Sequence, residues 1–142
     1  MTTITPREAS IFACFTETVV APGALLPPVR QTDAAAFFDE WLTIAPRAHA
    51  AGLRALVVAV ELGPLALGLK KRLRKLSADD RARYLHALEK SKTPQVRQLT
   101  KALKGIAFLC YYGDDGLMKQ LGYDADANVR RGRELRTKEA RP

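Results

Sequence analysis

Cysteine and histidine are scarce in this 142-residue sequence, two of each, and that scarcity removes whole classes of chemistry. Cys14 and Cys110 lie far apart in apolar segments and make no metal-ligand spacing. They read as two reduced, buried thiols, because a disulfide would need an oxidising compartment. His49 and His86 stand in no metal-binding spacing and beside no nucleophile motif. A phosphate cradle is also missing. Gly63-Pro64-Leu65-Ala66-Leu67-Gly68 lacks the Lys-Ser/Thr that would follow in a P-loop, and no strand precedes it. Asp114 and Asp115 are neighbours in the chain rather than carboxylates facing across a cleft, and helix capping explains them better. No catalytic, cofactor-binding or metal-binding residue is assigned.

Strand patterning is absent as well, since apolar and polar residues nowhere alternate strictly. The longest apolar stretch, Ala55 to Leu69, is interrupted by Glu61, Gly63 and Pro64, which reads as too short and too broken to span a bilayer. The opening MTTITPREAS has no basic region followed by an apolar one, and no twin arginine. The expectation is a soluble, cytoplasmic protein without a transmembrane segment.

What is present is ordinary globular material, 47% hydrophobic and 27% charged, in a chain long enough to bury one core. Thr5-Pro6-Arg7-Glu8 combines a capping hydroxyl, a proline at the first helical position and a glutamate three residues after the cap. Ile11, Phe12, Phe15 and Val19 follow at helical spacing, and Ala21-Pro22-Gly23 ends the element. The connector Pro22 to Gln31 contains Leu25-Leu26-Pro27-Pro28 and predicts an extended segment with its leucines tucked inward. Thr32 or Asp33 caps a second helix bearing Phe37, Phe38, Trp41 and Leu42, which stops at Ala45-Pro46. A third helix, from Pro46 to Leu62, is apolar on nearly every side and is expected to be the centre of the core. Gly63-Pro64 is expected to break it, with a short helix from Pro64 to Lys75 behind. Ser77 caps the next helix, with Tyr84, Leu85 and Leu88 inside. Thr93-Pro94 starts the longest clear one, carrying Val96, Leu99, Leu103, Ile106 and Leu109-Cys110. Asp114 or Asp115 caps a last short turn ending at Leu121, with Gly122 as its terminating glycine. The fold class is therefore all-α, a single compact helical domain of five to seven helices over residues 1–123. Residues 124–142 form a charged C-terminal tail, mobile or used for docking a partner.

The net charge of +8 is concentrated in residues 70–104, where twelve Lys and Arg face three Asp and Glu. Such a region suits nucleic acid, anionic lipid or an acidic protein surface, and equally a solvated helix face. Arg97, Lys101 and Lys104 are its candidates on the longest helix. Tyrosine and tryptophan add large rings with a polar handle, the type enriched at protein interfaces. Trp41, Tyr111, Tyr112 and Tyr123 complete the candidate partner-binding set. Consecutive helix residues diverge by about 100°, so one of Tyr111 and Tyr112 faces the core and the other faces outward.

From Leu76 to Tyr123 the chain resembles the gluconate 2-dehydrogenase subunit 3 family, and also the helical segment ahead of the flavin domain in some long-chain alcohol oxidases. The residues that carry the likeness are Leu76-Ser77 with Arg81 and Leu85, Ser91 to Leu99, Lys101 to Lys104, Tyr111-Tyr112 and Leu121-Gly122-Tyr123. A looser match extends back through Asp33-Ala34-Ala35 and Phe15–Val20. Met118 stands where that family often has tryptophan, Asp124 where proline or glycine often follows the tyrosine, and the twin-arginine leader of exported members is missing. The resemblance implies a non-catalytic small subunit that stabilises or matures a large FAD-dependent oxidoreductase of the glucose–methanol–choline class, acting on an alcohol, sugar or sterol hydroxyl. FAD would sit in that partner and no cofactor in this chain. The alternative is a free-standing basic helical module that binds nucleic acid or an anionic membrane surface.

Overall fold

A computed structural model describes residues 3–140. Among them there is no strand; seven α-helices and two short 3-10 turns account for the regular structure. The helices are α1 (Pro6–Val20), α2 (Ala34–Ile44), α3 (Arg47–Ala66), α4 (Ala78–Glu89), α5 (Pro94–Tyr112), α6 (Asp115–Gln120) and α7 (Ala125–Glu139). Helices α2 to α5 all pack on α1, whose Ile11, Phe12, Cys14 and Phe15 are buried, and α6 adds Leu117 to the same core. Phe12 stacks on Phe38 of α2, ring centroids 4.1 Å apart, and this pair lies at the heart of the core with Leu103, Ala107 and Tyr111 of α5. The hub is thus α1, where the sequence pointed to α3. An all-apolar sequence says how much of a helix can be buried; the neighbours decide how much is.

Local signals set most boundaries. At α1 the capping box is complete: the Glu8 amide donates to Thr5 Oγ1 at 3.2 Å, and the Thr5 amide donates to Glu8 Oε2 at 2.7 Å, so two otherwise orphaned amides are satisfied. Ser77, Asp114 and Asp124 cap α4, α6 and α7 from one side only, accepting the amides of Asp80, Leu117 and Ala127. Gly122 ends α6 at φ +78°, while the Tyr123 amide reaches back to the Met118 carbonyl at 2.8 Å.

Gly63-Pro64 does not break α3, which continues through both residues to Ala66. Proline removes the amide that would bond the carbonyl four residues earlier, here that of Val60. The Tyr84 hydroxyl of α4 replaces it, donating to that carbonyl at 3.0 Å. Gly63 makes the approach possible, because a Cβ there would overlap the same hydroxyl. The true stop is Gly68 at φ +80°. Its amide bonds the Leu65 carbonyl at 3.2 Å and the Leu69 amide bonds that of Pro64 at 3.0 Å, a Schellman termination. Between Gly68 and the start of α4 the chain forms only a 3-10 turn at Leu73–Lys75, not the short helix expected from Pro64 to Lys75.

Two further expectations change. Leu25 in the proline-rich connector is almost wholly exposed, and only Leu26 packs against the core. The segment is held from both sides, by the Tyr111 hydroxyl donating to the Pro27 carbonyl at 2.7 Å and by the Val29 amide donating to Glu17 Oε2 at 2.8 Å. The charged tail is helical as α7, although none of its residues is buried. Its Asp124 cap, with Asp126 in the first turn and Arg136 and Lys138 in the last, complements the helix dipole.

Candidate functional site

Helix α3 spans 20 residues and is long and apolar enough to cross a membrane by length and composition, yet only 28% of its most apolar window is buried in the fold. One edge, Val57, Val60 and Glu61, is buried in the fold. The buried Glu61 carboxylate is matched there by the Arg74 Nε at 2.9 Å and the Arg74 amide at 3.2 Å. Arg81 adds bonds to the Leu73 and Arg74 carbonyls, so the 3-10 turn is pinned beneath α3. The remaining face of α3 is apolar and open.

That open face forms one wall of a groove of about 840 Å³ between α2, α3 and α5. Trp41 and Ile44 line it from α2, Leu53 and Leu56 from α3, and Leu99 and Ile106 from α5. Its floor is made shallow by Gly52, Ala55 and Ala59, and His49 is its one ionisable side chain. Trp41 is 39% exposed, Ile44 78% and Leu99 51%, so large apolar side chains that would ordinarily be covered meet solvent here. The stripe read from the sequence on α5 therefore splits: Leu103 and Cys110 enter the core with Thr100 and Ala107, while Leu99 and Ile106 turn to the groove. Sequence periodicity missed the groove because Leu99, Leu103, Ile106 and Cys110 fall within about 60° of one another on one continuous apolar stripe. Only the position of α3 divides it.

The other sequence candidates lie elsewhere. At 100° per residue, Arg97, Lys101, Lys104, Phe108 and Tyr112 occupy one side of α5, turned away from Leu99 and Ile106. Lys104 is ion-paired with Glu89 of α4, and Arg97 donates to the Ser91 carbonyl in the connector before α5, so these two hold α5 to the end of α4. Lys101 is exposed, and Tyr112 is half-exposed and stacked on Phe108 with centroids 6.2 Å apart. Tyr111 is fully buried and presents no surface to a partner, which corrects its place in the candidate set. Tyr123 is half-exposed just beyond α6. Of the whole set, Trp41 alone lines the groove.

A smaller cleft of about 530 Å³ lies between α2 and the start of α6, with Asp33, Glu40, Asp114 and Asp115 around Phe37. Asp114 there serves as the α6 cap, and its other oxygen accepts the Asp33 amide at 3.3 Å. Among the described residues, no group of three or more His, Cys, Asp or Glu side chains is placed to hold a metal ion. Both cysteines are free and buried. Burial pushes the Cys110 thiol up to about 12 and raises that of Cys14, the opposite of what an activated thiolate requires.

No protein-family model matches the chain, and neither the curated proteins nor the solved structures yield a match. The likeness to the gluconate 2-dehydrogenase subunit 3 family accordingly rests on the quoted residues alone.

Proposed function

We propose that this chain is a non-catalytic binding subunit whose groove between α2, α3 and α5 receives an apolar helix of a large FAD-dependent oxidoreductase. The observation that carries the reading is the groove itself. It sets Trp41, Ile44, Leu53, Leu56, Leu99 and Ile106 around a shallow floor of small residues, a shape that admits a helix bearing apolar anchors three and four residues apart. The flavoprotein is the partner implied by the resemblance from Leu76 to Tyr123. Lys101 and Tyr112, on the far side of α5, would contact the same large subunit where it wraps around the domain, with Tyr123 beyond them. Steering by the basic residues would raise the association rate more than the affinity.

The test is co-expression with the FAD-dependent oxidoreductase encoded nearest to this chain, followed by affinity capture and size-exclusion chromatography. A stable complex is expected, and Ile44→Glu should weaken it by at least about tenfold, since it places a charge in a desolvated contact. Ile44 is 78% exposed in the isolated chain, so Ile44→Glu should leave that chain folded, as judged by its helical circular dichroism. A chain that remains alone beside that flavoprotein, or a complex indifferent to Ile44→Glu, overturns the reading.

A further inference from the structure

The end of α3 is unlike the groove. Leu65, Leu67 and Leu69 are all well exposed, with Leu62 one turn earlier. They are gathered by the Schellman turn at Gly68, which reverses the chain so that the last helical leucine and the two beyond it share one tip. Lys70, Lys71 and Arg72 follow directly and are exposed, as is Lys75. No acidic residue stands between Leu62 and Ser77; Glu61, just before, is buried and held by Arg74. An exposed leucine cluster bordered by cations and free of carboxylates is costly to leave in water, and neither the core nor the groove uses it.

We infer that this tip docks on the surface of an anionic lipid bilayer, the leucines entering the boundary between headgroups and acyl chains while the cations meet the lipid charges. Charge complementarity selects this occupant. The cations sit at the rim of an apolar cluster, where a bilayer presents negative charge above hydrocarbon in the same order. Glu61, Val60 and the Tyr84 bond keep α3 in the domain, so the contact is peripheral: the tip lies on the membrane and the helix does not cross it. This site is separate from the groove, and neither depends on the other.

The experiment is co-sedimentation of the full chain with vesicles of phosphatidylcholine alone and with about 30 mol% phosphatidylserine, at about 0.05 M and about 0.5 M salt. Binding to the anionic vesicles, weakened by salt and absent from the neutral ones, is expected. Lys70→Glu/Lys71→Glu should lower partitioning by about twentyfold or more, on a scale of roughly fivefold for each lysine lost near the surface. Lys90→Glu/Lys92→Glu makes the same change in net charge elsewhere and should have a much smaller effect. Leu65→Ser/Leu67→Ser leaves the charge unaltered and should lower partitioning by about tenfold or more. These leucines are exposed, so retained helical circular dichroism and melting temperature keep the variant interpretable. No binding to anionic vesicles, equal loss from the two lysine pairs, or indifference to the leucine pair overturns the inference. Equal affinity for soluble RNA with no leucine dependence overturns it in favour of nucleic acid. Loss of flavoprotein capture by the tip variants, with vesicles ignored, assigns the tip to the protein interface instead.

Discussion

Glu8 shows how one side chain ties local structure to the tertiary fold. Its carboxylate closes the α1 capping box and also forms a two-point pair with Arg54 of α3, at 2.9 and 3.1 Å. The Arg54 hydrogen bonds are the main reason its acidity rises, bringing it from 4.5 down to about 2 against the opposing cost of burial. A carboxyl depressed by folding adds stability that is fully present above its unfolded value and is lost as pH falls toward its folded one. Urea unfolding should therefore show the chain losing about 2 kcal/mol from this group between pH 4.5 and pH 2. Glu8→Gln should be less stable at pH 7 and should lack that share of the acid dependence. The capping half of this role was legible as Thr5-Pro6-Arg7-Glu8. The Arg54 half was not, because 46 residues separate the partners and only the crossing of α1 and α3 brings them together.

At the scale of elements, Gly63-Pro64 is the instructive case. Read locally, the pair is a helix breaker, since proline leaves a carbonyl without its donor. In the fold it is a notch on α3 into which α4 inserts the Tyr84 hydroxyl. Burial pushes that phenol up to about 12, so it stays a donor throughout the physiological range. Tyr84→Phe should cost about 1–3 kcal/mol, as expected when a buried carbonyl is left unpaired. Pro64→Ala restores a backbone amide that can bond the Val60 carbonyl, so Tyr84→Phe should cost less in that background. A double-mutant cycle by chemical denaturation measures the coupling. Additive effects would show that the hydroxyl and the missing amide are unrelated.

Across the whole molecule, burial is uneven in a way that composition does not reveal. The core is centred on α1 and α5, while α3 turns much of its apolar surface outward and α7 buries nothing. An isolated helix of this length is marginal in water unless other contacts support it. Removing residues 125–142 should therefore leave the thermal midpoint of the remaining domain within about 1–2 °C, the shift expected for a change below about 0.5 kcal/mol. A larger drop on differential scanning calorimetry would mean that α7 packs on the domain in solution. The apolar groove and the leucine–lysine tip survive that truncation, so both binding tests can be repeated on the shorter chain once it is shown to fold.

The all-α class, the starts of α1, α4 and α6, and the glycine end of α6 were determined by the sequence itself. Each depends on residues within a turn or two of one another, where a hydroxyl, carboxylate or positive-φ glycine acts on its own backbone. Tertiary structure alone decided that α1 is the hub, that Tyr111 rather than Tyr112 is internal, and that Leu99 and Ile106 leave the core to line a groove. Those outcomes depend on which helices become neighbours. An apolar residue carries the same hydrophobic gain whichever neighbour covers it, so the sequence marks what can be buried but not which part of it remains open for binding.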